Sequence, residues 1–197
     1  MLFRSSFTGT YTVDPSGTGR VDSSVNFSVN GPGPELIFYL AGNGNPPMVL
    51  DADVNLGALG VGMANPQAAS PVTFNGRYGL NLVQSSESLE NHGTAQITAN
   101  GGSDTLSGVI DINLSFSAQP NTPLTGTFGT IASNGHSTGG LTNTFFPTPG
   151  TEPSTIAVAF YVADASHVYV IETDSLTSGE LSFGYFSARS AVCSGCP

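Results

Sequence analysis

The sequence predicts an all-β protein. The expected architecture is an antiparallel meander, an eight-stranded up-and-down barrel or sandwich unit, preceded by a partial repeat of about five strands. Three observations carry this reading. Apolar and polar residues alternate with a period of two, and no stretch sustains a period of 3.6. Turn signals such as Asn43-Gly44, Asn100-Gly101-Gly102 and Asn134-Gly135 separate the alternating runs; Asn-Gly suits the positive φ that both central positions of a tight hairpin turn require. One pattern of residues also occurs twice.

The leading part, residues 1–67, reads as the partial unit, with strands near 7–13, 19–29, 35–40, 48–53 and 61–64. Phe7, Tyr11 and Val13 share a face opposite Thr8, Thr10 and Thr12, and Asp14-Pro15-Ser16-Gly17 turns the chain back. A linker is expected over 68–72, within the segment from Pro66-Gln67 to Pro71. Residues 73–190 read as the complete unit, with strands near 73–84, 92–99, 105–116, 124–133, 137–145, 155–163, 167–173 and 181–188. In the third of these Leu106, Ile110, Ile112, Leu114 and Phe116 alternate with Ser107, Asp111, Asn113 and Ser115. The short links favour a meander, and about eight strands suffice to close a small barrel filled by its own side chains. Residues 191–197 form a cysteine-containing tail.

The duplication sets the unit boundaries. FTGTYTVDPSGTG from Phe7 is answered by LTGTFGTIASNG from Leu124, LIFYL (Leu36–Leu40) by VAFYV (Val158–Val162), and VLDAD (Val49–Asp53) by VIETD (Val170–Asp174). The block from Val72 to Thr122 has no upstream partner. The leading copy therefore lacks about three strands, and an open sheet exposes unpaired N–H and C=O groups along both edges. The completing strands come from upstream sequence, from an edge of the whole unit, or from another molecule by β-augmentation.

Composition narrows the class. Charged residues are 9% of the chain, lysine and tryptophan are absent, and the net charge is −10. That balance argues against nucleic acid and anionic membranes as partners, since both require basic patches. No run of 18 apolar residues occurs, so no membrane insertion is expected. The apolar content of 39% is enough to bury a core. Surfaces rich in Ser, Thr, Asn and Gly suit an extracellular or cell-surface protein. Met1-Leu2-Phe3-Arg4-Ser5 lacks an apolar signal-peptide core, so an exported protein with this start is expected to be a mature or truncated form.

The paired motifs, T-G-T-[YF] with a Gly-rich turn, an apolar Phe-Tyr strand and V-[LI]-[DE]-x-D, resemble a repeat of large secreted or surface proteins of environmental bacteria, notably acidobacteria. Gly76-Arg77-Tyr78, Gly9-Thr10-Tyr11 and Gln67 fit that pattern, while the second unit departs from it at Gly184-Tyr185-Phe186-Ser187-Ala188-Arg189. The resemblance implies an exported, multi-unit β protein and no catalytic residues; the family has no settled activity.

Few residues offer chemistry. Asp51, Asp53 and Asn55 begin like a calcium loop, but Leu56 and Gly62 stand where that loop requires Gly and Glu. Glu172 and Asp174 repeat the acidic spacing, so each pair has two readings, a shared cation or solvated strand ends. No cofactor beyond such a calcium ion is expected. His92, His136 and His167 adjoin turns and are expected at the surface, and no G-x-S-x-G is present. Cys193 and Cys196 lack the haem, zinc and thioredoxin contexts and read as a tail disulfide, within the chain or between chains.

Two function classes follow. The first is a non-enzymatic structural or surface protein that assembles with itself as a homo-polymer, or with neighbouring repeat units, through strand complementation into a filament or array. The alternative is an extracellular binding module, an adhesin or a carbohydrate- or lipid-binding barrel. If Phe38-Tyr39 and Phe160-Tyr161 are plain strand core, one member of each pair points inward and the other outward.

Overall fold

The computed structural model of the chain describes residues 7–27, 31–42, 45–52, 61–68, 73–85, 90–114, 117–144, 154–174 and 181–189. All regular structure among them is β, and they divide into two compact units, Met1–Pro66 and Gln67–Pro197.

The first unit is one antiparallel sheet of five strands in chain order. These are β1 (Phe7–Val13), β2 (Arg20–Phe27), β3 (Gly31–Tyr39), β4 (Met48–Asp51) and β5 (Val61–Met63). The β1–β2 turn is fixed by the Asp14 carboxylate, which accepts the Ser16 N–H at 2.8 Å, the Ser16 hydroxyl and the Thr18 hydroxyl. Gly17 and Gly19 supply the positive φ that this turn needs.

The second unit is a closed barrel of eight strands. They are β6 (Gly76–Ser85), β7 (Glu90–Asn100), β8 (Thr105–Leu114), β9 (Ser117–Phe128), β10 (His136–Asn143), β11 (Ser154–Val162), β12 (His167–Glu172) and β13 (Leu181–Ala188). Each strand pairs antiparallel with the next, and β13 closes on β6 through Phe186 opposite Leu80. Of the two architectures expected for the unit, the up-and-down barrel is therefore the one adopted.

The period-two pattern decides which side chains fill the barrel. Tyr78, Leu80 and Leu82 of β6, Ala95, Ile97 and Ala99 of β7, and Ile156, Val158, Phe160 and Val162 of β11 all belong to one buried cluster. Each such large apolar side chain contributes roughly 1.5–3 kcal/mol on burial. One mouth is stoppered by Phe74, just ahead of β6. Its ring centroid lies 5.0 Å from Tyr78, 5.1 Å from Phe128 and 5.1 Å from Phe186, in edge-on and tilted contacts that aromatic quadrupoles favour.

So narrow a barrel coils its sheet tightly, and two inward-facing glycines permit this. A Cβ on Gly108 would stand 1.9 Å from the carbonyl oxygen of Gln96, and one on Gly139 1.9 Å from that of Thr127. Only a residue without a side chain lets the crossing backbones approach so closely.

The largest departure from the sequence reading is β9, expected near 124–133 and found from Ser117. Pro120 and Pro123 interrupt its alternation, which hides the strand. The sheet accommodates them with a bulge: Ile110 faces Thr122 while Ile112 faces Gln119, so β9 carries one extra residue. On its other side, among the described residues, β9 pairs with β10 over Thr125–Phe128, beyond both prolines.

The duplicated motifs adopt the same cross-strand register in both units. Tyr11 faces Ser23 as Phe128 faces Gly139. Ser23 faces Leu36 as Gly139 faces Val158. Leu36 faces Asp51 as Val158 faces Glu172, and Val49 faces Gly62 as Val170 faces Gly184. Strands β1–β5 thus match β9–β13 pair for pair.

Candidate functional site

The two acidic residues of the second unit differ in environment. Glu172 ends β12 on the inward parity of Val168 and Val170 and is buried. Asp174 lies beyond the strand and is exposed; its Oδ2 accepts the Ala157 N–H at 2.7 Å and extends the β11–β12 ladder by a side-chain bond. The alternation that would have set both carboxylates on one side ends with the strand at Glu172. In the first unit Asp51 closes β4 and is half-buried, whereas Asp53 and Asn55 lie outside the described residues, as do Cys193 and Cys196. Among the described residues, no three His, Cys, Asp or Glu side chains gather as metal ligands do.

The three histidines diverge from one another in environment. His92 is exposed as expected. His136 is buried instead, its ring edge-on to Tyr161 at 5.2 Å, because β10 begins at this residue and seats it against β11. His167 Nδ1 lies 2.9 Å from the Asp164 carboxylate in the β11–β12 turn. Partial burial by itself would raise the Asp164 pKa. Hydrogen bonds from His167 and the Ser166 N–H, with the nearby imidazole, outweigh it and hold the group below its usual range. The same turn anchors the stoppered mouth: the Tyr78 hydroxyl donates to the Ala165 carbonyl at 3.0 Å, and burial pushes the Tyr78 pKa up.

Exposed apolar surface is the feature that both units share. On the outer wall of the barrel Tyr161, Tyr169 and Tyr185 stand opposite one another on β11, β12 and β13. Tyr161 and Tyr185 are exposed, as are Ile171 and Phe183 on the next rung. The matching row of the first unit is Tyr39, Met48 and Met63, all exposed. The Phe-Tyr pairs divide as plain core predicts: Phe160 is buried and Tyr161 faces out, and Phe38 is half-buried while Tyr39 is exposed. Sequence reasoning passed over this row because its members sit on the parity assigned to polar residues. The alternation pattern itself held the signal, since Tyr161, Tyr169, Ile171, Phe183 and Tyr185 are apolar residues on outward positions.

The inward faces of the two units differ sharply. Phe128 is 4% exposed inside the barrel, while Tyr11, its counterpart in register, is 74% exposed. Val13 and Leu40 on the same face of the first sheet are exposed as well. Among the described residues β1 pairs only with β2, and β5 only with β4. Val21, between Val13 and Phe38 on that face, is buried, and Phe38 is half-buried, so the face is exposed mainly toward Tyr11, Val13 and Leu40. Among the described residues the first sheet thus has two unpaired edges and a partly exposed apolar face, whereas the barrel has no free edge.

The barrel interior is filled by the side chains of its buried cluster. A shallow groove on the outer wall is lined by Arg77, Gln96, Thr98, Ser107 and Arg189. The Arg189 guanidinium donates to Gln96 Oε1 at 2.7 Å, and its backbone N–H to the Arg77 carbonyl at 2.9 Å.

No protein-family model matches the chain, and no curated protein matches it.

Proposed function

We propose that the protein is a non-enzymatic extracellular structural or surface protein that assembles into a filament or multi-unit array by β-strand complementation. The observation that carries this reading is the contrast between the closed barrel and the open sheet β1–β5, with Tyr11 74% exposed where Phe128 is 4% exposed. Apolar sheet surface and unpaired backbone edges of this kind promote association. A charge content of 9% keeps the desolvation cost of close subunit packing low. The barrel cannot lend an edge, because all eight of its strands are paired on both sides. The assembling element is therefore the first unit. Electron microscopy and light scattering over a concentration series test the reading: polymers or concentration-dependent growth are expected. A compact monomer at every concentration, with the β1 and β5 amides exchanging freely, rules it out.

The groove at Arg77 and Arg189 favours a second reading, an outer-wall binding module for anionic groups, since guanidinium groups pair well with carboxylates and sulfates. Binding to acidic glycans on an array that disappears in Arg189→Ala would support it, and an array without hits would remove it.

A further inference from the structure

We infer that the open face of sheet β1–β5 is completed by a three-stranded antiparallel segment of the β6–β8 kind, donated by a neighbouring unit, to close a second eight-stranded barrel. The inference rests on the reading of the first unit as the assembling element and names what that element takes up.

Register identifies the occupant. Sheet β1–β5 repeats the pairings of β9–β13, and in the barrel the two outer strands of that set are bridged by β6, β7 and β8. The junctions specify the donor in detail. On one side Gly184 faces Leu82, so the residue of the donor corresponding to Leu82 faces Gly62 on β5. On the other side Leu106 faces Gly126, so the residue corresponding to Leu106 faces Gly9 on β1. A donor stopper corresponding to Phe74, which contacts Phe128 and Phe160 in the barrel, meets Tyr11 and Phe38. This explains why Tyr11, an aromatic residue on an inward face, is 74% exposed, and why Phe38 is only half-buried where Phe160 is fully buried.

Strands β6–β8 of a second copy can serve as the donor only by leaving their own barrel. They are paired along both sides within a closed barrel, and Phe74, Tyr78, Leu80, Ile97 and Ile110 are buried there. Releasing them would expose as much apolar surface as the acceptor sheet covers. Two first-unit sheets joined edge to edge would enclose ten strands and would leave no residue in the role of Phe74.

The test is a full-length chain in which a copy of residues 69–123 replaces residues 1–6, so that the duplicated Pro123 leads into Phe7 as the original leads into Leu124. The expected result is slowing of amide exchange at Tyr11 and Met63 by at least about 100-fold, with a monomeric chain. A control copy carrying Leu80→Asp and Ile110→Asp should leave both amides unprotected. If the wild-type insertion leaves exchange unchanged, the inference fails. It also fails if the unaltered chain already protects β1 in a symmetric dimer. If the insertion protects the sheet while the unaltered chain never polymerises, the occupant is as inferred and the assembly reading alone falls.

Discussion

The Asp111 carboxylate accepts the backbone N–H of Asn121 at 2.6 Å across the β8–β9 bulge. The extra residue in β9 would otherwise leave that N–H without a ladder partner, and Asn121 takes a positive φ of 55° to present it. Asparagine tolerates this conformation better than other residues with a side chain. Replacing the acceptor, Asp111→Ala, should lower stability by about 1 kcal/mol, a modest figure because the bond is exposed. Asp111→Asn retains an acceptor oxygen and should lose less. Urea unfolding of the two variants separates them, and equal midpoints would remove the side-chain bond as the support of the bulge.

This bulge marks where the fold ceased to be legible in the sequence. Strands with clean alternation, such as Leu106–Ile112, were placed to within a few residues, because one buried face leaves only one register in which they can pair. The β9 strand was missed over its first half, since Pro120 and Pro123 obey a rule that the bulge suspends. Closure of the barrel depends on the pairing of β13 with β6, strands far apart in sequence, and no local pattern distinguishes it from a sandwich. The open face of the first unit was legible through the duplication. The outer tyrosine row was legible only in part: alternation places Tyr161, Tyr169 and Tyr185 outward, but periodicity assigns faces and does not say which face is covered. The different burial of Glu172 and Asp174 turned on where a strand ends, the least predictable property of any element.

Phe74 lies outside every strand and yet touches Tyr78, Phe128, Phe160 and Phe186. Phe74→Ala should open a cavity at the mouth of the barrel and cost about 3–5 kcal/mol. Phe74→Leu should cost much less, since most of the volume remains. Thermal unfolding of the variants reports the difference. A loss below about 1 kcal/mol for Phe74→Ala would mean that the mouth collapses readily around the missing ring.

Two glycines of neighbouring sequence type should respond in opposite ways. Gly139→Ala would set a methyl group 1.9 Å from the Thr127 carbonyl oxygen, and the atoms nearest to it are all β9 backbone, which cannot swing aside as a side chain could. A loss of about 1–3 kcal/mol or more is expected, with disturbed amide signals along β9 and β10. At Gly79 the nearest atom to an added Cβ is the Ser187 oxygen at 4.0 Å, and the residue faces outward between Tyr78 and Leu80. Gly79→Ala should be neutral or stabilising by about 0.4–1 kcal/mol, through lower entropy of the unfolded chain. Denaturant midpoints of both variants, measured side by side, check the contrast; equal effects would show that tight coiling does not govern the Gly139 position.

The β1–β2 turn should weaken in acid through a single carboxylate. Hydrogen bonds from the Thr18 hydroxyl first, then from the Ser16 N–H and hydroxyl, lower the Asp14 pKa from 3.8 to about 2. Its folded value lies below its unfolded value, so the charged form is the one folding favours. The contribution of Asp14 is therefore complete above the unfolded value near 3.8 and disappears as the pH falls through about 2. Carboxyl NMR titration should give Asp14 the low midpoint, and the β1–β2 amide signals should shift in the same window. In Asp14→Asn that pH dependence should vanish, because the amide still accepts from Ser16 and carries no proton to gain. An Asp14 midpoint at the ordinary value would show that the turn does not depend on the charged form, and the first sheet would then have to draw its acid sensitivity from another group.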